Sequence, residues 1–101
     1  MKAKNNEIKS YSAVLDKKYG APGTESRIEA EHHAYAFFTG QLIEEARKKA
    51  NLTQEELAVR VGSNKSYISR VENGKTEPKV STFYRIAGAL GLSVDLNPIH
   101  S

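Results

Sequence analysis

The sequence has 101 residues, of which 39% are hydrophobic, with no cysteine, no tryptophan and a formal charge of +3 at neutral pH. This length allows one domain, or one domain with an appended arm, and the lack of cysteine excludes disulfides and thiolate metal sites. No apolar run approaches the roughly 20 residues of a membrane span, and the polar N-terminus has no signal-peptide core, so we expect a cytoplasmic protein.

The short apolar and polar patterns at the N-terminal end predict a tail, a short helix at residues 10–19 and then a long helix. The stretch GAPGT between the two helices is a turn by composition, and Thr24 is a suitable N-cap for a helical pattern that runs to about Ala50. Its apolar residues recur at three- and four-residue steps, at Ile28, Tyr35, Phe38, Leu42, Ile43 and Ala46. Gly40 lies inside this pattern, and the sequence leaves open whether the helix is continuous there.

Two short helices follow, each with clear boundary signals. Thr53 to Glu56 is a capping box that opens a helix at Gln54–Val61, and Gly62 ends it. Asn64 is an N-cap for the next helix, which runs from Lys65 to about Glu72 and ends at Asn73-Gly74. Leu57, Ala58 and Val61 form the apolar face of the first of these helices.

The C-terminal part predicts one more helix and an extended segment. Pro78 precedes a helix from about Val80 to Leu90, and Gly91 ends it. Its inward face would consist of Phe83, Ile86, Ala87 and Leu90. The last segment, LSVDLNPI, alternates apolar and polar residues as a strand does, so it should pair with another copy or lie against the fold.

The positive charge is concentrated in the same part of the chain as the short helices. Between Arg60 and Arg85 there are six basic residues and two acidic ones, a surplus of four against a net charge of +3 for the whole chain. The basic residues are Arg60, Lys65, Arg70, Lys75, Lys79 and Arg85. Such a surplus favours a polyanion as the partner.

The two short helices, joined by Gly62-Ser63-Asn64, have the spacing of a helix-turn-helix. The second helix has only a thin apolar edge at Ile68 and Val71, and the small Ala58 allows it to cross the first helix closely. Its other positions carry hydrogen-bonding side chains suited to base edges and phosphates: Lys65, Ser66, Tyr67, Ser69 and Arg70.

The stretch LTQEELAVRVGSNKSYISRVENGKTEPKVSTFYRIAGALGLS, residues 52–93, resembles the phage-repressor-like (XRE/Cro-type) helix-turn-helix family. The resemblance implies an all-α, phage-repressor-like helix-turn-helix bundle at residues 41–93, with an N-terminal helical extension and a short strand-like tail at residues 94–101. Ser63 departs from the family, in which many members have a small aliphatic residue at this position.

The family resemblance also implies roles for individual residues. Lys65, Ser66 and Arg70 match positions that commonly reach bases, whereas Asn64 and Tyr67 lie nearer the DNA backbone. Gln54 would contact a phosphate and brace the second helix, and Arg47 with Glu72 would form a structural ion pair. The loop Asn73, Gly74 and Lys75 would meet the phosphate backbone.

The part before this domain, with the words KYGAPGT and LIEEARKKANLTQEELA, is similar to the HigA-type antitoxins of type II toxin–antitoxin modules. The similarity implies an antitoxin that masks a RelE-like (HigB-type) ribonuclease and represses its own operon. Toxin contacts in that family often precede the DNA-binding core, which here means Tyr11 to Phe38. The part before the core divides into residues 1–23, a tail and short helix, and residues 24–40, a partner or dimer surface. The candidate aromatic residues are Tyr11, Tyr35, Phe37 and Phe38.

Two alternatives to the antitoxin hypothesis follow from the sequence. A free-standing repressor of phage or plasmid type would use the N-terminal arm for dimerisation, and in both cases we expect a homodimer on an inverted-repeat operator of double-stranded DNA. An enzyme would require a nucleophile, a metal triad or a phosphate-binding loop, and none is found. We expect no cofactor or metal, since the adjacent His32 and His33 diverge by about 100° on a helix and have no third ligand.

Overall fold

The computed structural model describes residues 20, 21 and 23–99. This part of the chain contains four α-helices and no strand: α1 (Glu25–Lys49), α2 (Gln54–Val61), α3 (Lys65–Glu72) and α4 (Val80–Ala89). The predicted all-α helix-turn-helix class is confirmed. The helix predicted at residues 10–19, which contains Tyr11, lies outside the described residues.

The long helix α1 is continuous through Gly40, which answers the question that the sequence left open. Thr24 is its N-cap, as predicted, because the Thr24 Oγ1 accepts a hydrogen bond from the Arg27 backbone N–H at 3.3 Å. The helix ends just before Ala50, and Asn51 then takes a positive φ of 58° that turns the chain toward α2.

The boundary signals of α2 and α3 are confirmed in the structure. Thr53 and Glu56 form the reciprocal capping box, with the Thr53 N–H donating to Glu56 Oε1 at 2.8 Å and the Glu56 N–H donating to Thr53 Oγ1 at 3.0 Å. Gly62 ends α2 in the left-handed conformation with φ of 69°. Asn64 then caps α3 by accepting from the Tyr67 N–H at 2.8 Å.

One hydrophobic core joins all four helices. Its buried members are Ile43, Leu57, Ala58, Val61, Ile68, Val71 and Ile86, with Tyr67, Phe83, Ala89 and Leu90 packed against them. Leu57, Ile68 and Ile86 are fully buried, and burial of each such side chain contributes about 1.5–3 kcal/mol. Helices α1 and α4 therefore pack against the inner side of the helix-turn-helix, and the outer faces of α2 and α3 stay exposed.

The strand-like segment near the C-terminus forms no strand within the single chain, and its pairing with another copy stays a prediction. The described residues 92–99 form no strand, and Leu96 is 91% exposed. A strand requires a neighbouring strand to pair its backbone groups, and no described segment supplies one. Leu92 and Val94 instead border an apolar groove of about 90 Å³ beside Leu42 and Phe83, so this stretch lies partly against the fold.

None of the helices in the described ranges combines the length and the hydropathy that a bilayer-crossing segment needs.

Candidate nucleic-acid interface

The helix α3 divides sharply into a buried edge and an outer face. Its buried residues are Ile68, Val71 and Glu72. Lys65, Ser66 and Arg70 are exposed, and Tyr67 and Ser69 are half-buried at the border between the two faces. The structure thus places the predicted base-reading residues together on one accessible surface. Which of them contact DNA stays a prediction.

A buried polar network fixes the C-terminal end of α3. The Glu72 carboxylate, 1% exposed, accepts from Arg47 Nε at 2.7 Å and from Arg47 Nη2 at 3.1 Å. Arg47 also donates from Nη1 to the Leu52 carbonyl at 2.8 Å. The ion pair that the family resemblance implies is therefore formed, and it ties α1, the α1–α2 connection and α3 together.

Hydrogen bonding and charge in this network both favour the protonated form of Arg47. The hydrogen bond to Glu72 raises the pKa of Arg47 above its ordinary value, and the Glu72 charge adds to this effect, although burial opposes it. Gln54 in the first turn of α2 completes the network, because its Nε2 donates to Glu72 Oε1 at 3.0 Å. Gln54 thus braces α3 as expected, and its phosphate contact stays a prediction.

The helix α1 approaches α3 through a glycine. A Cβ built on Gly40 would lie 2.6 Å from the carbonyl oxygen of Glu72 and closer still to that of Val71. Only a residue without a side chain fits there. Sequence reasoning noticed Gly40 as a helix-weakening residue but missed this function. The available signal was a glycine in an otherwise strong helical pattern, which points to a packing role without identifying the residues that it contacts.

The loop after α3 presents two of the predicted backbone-binding residues. Asn73 and Lys75 are exposed, and Gly74 between them has a φ of 71°. The Lys75 N–H donates to the Arg70 carbonyl at 2.9 Å, so the loop closes directly onto the last turn of α3. Its position next to the exposed face of α3 extends the same surface.

Arg70 is held near an aromatic ring on the same helix. Its guanidinium carbon lies 5.9 Å from the centroid of the Tyr67 ring, at the outer limit of a cation–π contact. Tyr67 in turn packs against the hydrophobic core. The core therefore restrains Tyr67, and the Arg70 guanidinium lies beside the restrained ring.

The aromatic residues of the N-terminal half of α1 differ in exposure. Phe37 is 50% exposed and Tyr35 is 37% exposed, whereas Phe38 is half-buried. Tyr35 borders a shallow crevice with Pro78 and Val80. Among the described residues, no group of His, Asp or Glu side chains has a metal-binding arrangement.

Helices α2 and α3 are joined by a tight turn, and α3 is buried on one edge and exposed on the other. This is the arrangement of helix-turn-helix proteins. Residues 43–97 match the Helix-turn-helix family, and the chain belongs to this family, in its phage-repressor-like form.

The similar proteins include named transcriptional regulators. It is 40% identical over 55 residues to the immunity repressor protein of Bacillus phage phi105, a match that covers 54% of this chain and 38% of the relative. It is 50% identical over 50 residues to an uncharacterized HTH-type transcriptional regulator of Methanothermobacter thermautotrophicus, covering 50% of this chain and 72% of that protein. The chain thus spans well under half the length of the phage repressor.

A solved structure supports the fold. The restriction-modification controller protein C.AhdI from Aeromonas hydrophila aligns with a TM-score of 0.59 and 32% identity, covering 61% of this chain and 90% of that chain. None of these three proteins is named as an enzyme.

Proposed function

We propose that this chain is a sequence-specific DNA-binding transcriptional regulator that represses its own operon. The observation that carries the proposal is the outer face of α3, where Lys65, Ser66 and Arg70 are exposed together while Glu72 at the buried edge is fixed by Arg47. A rigidly held helix with such donors is what major-groove recognition requires. In this proposal Gln54, Asn64, Tyr67, Ser69, Asn73 and Lys75 surround the base-reading residues and contact the backbone or its vicinity.

Selection from a random duplex library tests sequence-specific binding directly. The wild-type chain should enrich one sequence family, and its affinity for that duplex should exceed its affinity for random DNA by roughly 10³-fold or more at physiological salt. A matched control is Val59→Ala, since Val59 is exposed on α2 and carries no hydrogen-bonding side chain. Enrichment of no sequence would contradict the proposal.

We propose that the chain acts as a homodimer on an inverted repeat, with its two α3 helices in successive major grooves about 34 Å apart. Exposed apolar side chains mark two possible interfaces: Leu96 in the C-terminal segment and Phe37 on α1. Sedimentation equilibrium of Leu96→Asp and Phe37→Asp distinguishes them, because a charge at the interface should dissociate the dimer and a charge elsewhere should not. A wild-type chain that stays monomeric at the concentrations of DNA binding would contradict the homodimer.

We further propose that the chain is the antitoxin of a RelE-like (HigB-type) ribonuclease. In support, residues 25–40 of α1 lie outside the family match and include the exposed rings of Tyr35 and Phe37 and the exposed carboxylates of Glu25 and Glu29. Exposed aromatic and acidic side chains suit a basic protein partner. Co-expression with the product of the adjacent gene is the test: the neighbour alone should arrest growth, and this chain should bind it and restore growth.

The second candidate function is a free-standing repressor without a toxin. The similarity to the phage phi105 immunity repressor favours it, because that relative is named for repression alone. In this case the product of the neighbouring gene would not arrest growth and would not co-purify with this chain. Phe37→Asp would then either dissociate the homodimer or leave the protein unchanged. Operator binding by α3 is common to both functions, so the toxin experiment decides between them without affecting the first proposal.

A further inference from the structure

The N-terminal half of α1 packs against the loop that follows α3. A Cβ built on Gly74 would lie 2.9 Å from the Cα atom of Phe37 and 3.1 Å from its backbone nitrogen. Gly74 therefore rests on the backbone of α1, while the Phe37 ring is half-exposed to solvent. One helical turn further along α1, Gly40 makes the equivalent close contact with the last turn of α3.

The two segments stay side by side for another turn toward the N-terminus of α1. Ala36 and His33 border a crevice of about 240 Å³ whose opposite wall includes Gly74 and Lys75. At its edge the His32 Nδ1 lies 3.9 Å from the Glu77 Oε1. The chain from the end of α3 to residue 77 thus follows three successive turns of α1, in direct contact at Gly40 and Gly74 and across the crevice nearer the N-terminus.

We propose that residues 25–40 of α1, although outside the helix-turn-helix match, hold the loop Asn73–Lys75 in the position from which it contacts the DNA backbone, with Gly74 as the positioning residue. This inference rests on the proposed DNA binding. Lys75 follows Gly74 directly, so any displacement of Gly74 away from Phe37 also moves the Lys75 ammonium group. A phosphate contact by a point charge depends on that distance.

A pair of glycine substitutions separates positioning from backbone strain. Gly74 and Gly91 have nearly the same φ, 71° and 73°, so alanine suffers the same left-handed strain at both. A Cβ at Gly91 meets nothing within 4 Å, whereas at Gly74 it meets α1. Gly74→Ala must therefore shift the loop, and Gly91→Ala leaves it in place.

The measurement is the dissociation constant for the duplex selected by the wild-type chain, and for random DNA, as a function of salt. Both variants are assayed at a temperature at which circular dichroism shows them folded. Gly74→Ala should lose a similar factor on both DNAs and reduce the salt slope by about one phosphate contact per chain. Gly91→Ala should match the wild type.

A double-mutant cycle shows whether the effect acts through Lys75. If Gly74→Ala displaces that ammonium group, adding Lys75→Ala should weaken binding no further. Ala36→Val is the second variant, because it adds two methyl groups from the α1 side of the crevice at a residue that is 7% exposed. Like Gly74→Ala, Ala36→Val should reduce the salt slope. It replaces Gly74→Ala in the test if that variant does not fold.

Several outcomes overturn the inference. An unchanged salt slope in folded Gly74→Ala or, where that variant does not fold, in Ala36→Val means that the loop position does not depend on α1. Additive losses from Gly74→Ala and Lys75→Ala mean that the glycine acts elsewhere. If instead the wild-type chain selects no DNA, the proposed function itself fails. If Lys75→Ala weakens DNA binding but Gly74→Ala does not, the proposed DNA binding stands and only the positioning role of Gly74 is refuted.

Discussion

Gly40 in α1 faces the carbonyl oxygen of Val71 in the last turn of α3, with no room for a β-carbon between them. The close approach allows Arg47, seven residues further along the same helix, to reach Glu72. A glycine that weakens α1 on its own thus enables the contact that positions α3.

We predict that Gly40→Ala destabilises the protein although alanine is the better helix former. The gain in helix propensity is about 1 kcal/mol, but the methyl group would collide with backbone atoms that have little freedom to move, and the net loss should be about 1–3 kcal/mol. Gly88→Ala in α4 is the matched control, because a Cβ there meets nothing within 4 Å. It should stabilise by about 0.5–1 kcal/mol. Urea denaturation measures both, and equal stabilities of the two variants would contradict the packing role of Gly40.

The network around Glu72 gives a second prediction. Arg47→Met leaves the Glu72 carboxylate buried without its cation, which should cost about 3–5 kcal/mol. The double variant Arg47→Met with Glu72→Met removes the unpaired charge and should recover most of this loss. Equilibrium denaturation of the single and double variants tests the prediction. If the double variant is as unstable as the single one, the cost arises from lost packing rather than from an uncompensated charge.

The helix boundaries could be predicted from the sequence because their determinants are local. Thr24, Thr53 and Asn64 each accept a hydrogen bond from an amide three residues later, and Gly62 takes the left-handed conformation at the end of α2. These interactions depend on residues within one turn, so a short motif contains all the information needed.

Features that depend on distant residues could not be predicted in the same way. Position 40 requires glycine because the carbonyl groups of Val71 and Glu72, about thirty residues further along the chain, lie against it. The segment around Leu96 forms no strand in the single chain, because alternation of apolar residues shows what a strand would bury but not whether a partner strand exists. The exposed face of α3 followed from its pattern, whereas the DNA contacts of Lys65 and Arg70 stay predictions.

The capping box of α2 gives a pH-dependent prediction. Hydrogen bonds from the backbone and side chain of Thr53 lower the pKa of Glu56 below its ordinary value of 4.5. The folded state therefore favours the carboxylate, so this stabilisation is fully present above pH 4.5 and is lost as the pH falls through the lowered folded value.

Glu56→Gln tests the pH dependence because it keeps a neutral acceptor and removes the charge. The wild type should be more stable than this variant at pH 7, and the difference should shrink below pH 4. Glu55→Gln removes a charge from the same helical turn without removing the capping bond, so it controls for the helix dipole. A difference between wild type and Glu56→Gln that is the same at pH 7 and pH 3 would contradict the role of the charge.

The last prediction concerns base recognition by Arg70. Arg70 is exposed on α3, and its guanidinium lies beside the ring of Tyr67. If Arg70 makes a bidentate base contact, Arg70→Ala should weaken binding to the selected duplex by about 1–3 kcal/mol and relax the base preference at one position per half-site. Fluorescence anisotropy on selected and random duplexes measures this loss.

Lys75→Ala is the control for Arg70→Ala, since the exposed Lys75 is the proposed phosphate contact. It should weaken binding to both duplexes by the same factor and flatten the salt dependence, because it removes a charge without removing a base contact. An equal loss on selected and random DNA for Arg70→Ala would instead assign Arg70 to the backbone. Base selection would then have to come from Lys65 and Ser66, the two other exposed residues of α3 that match base-reading positions.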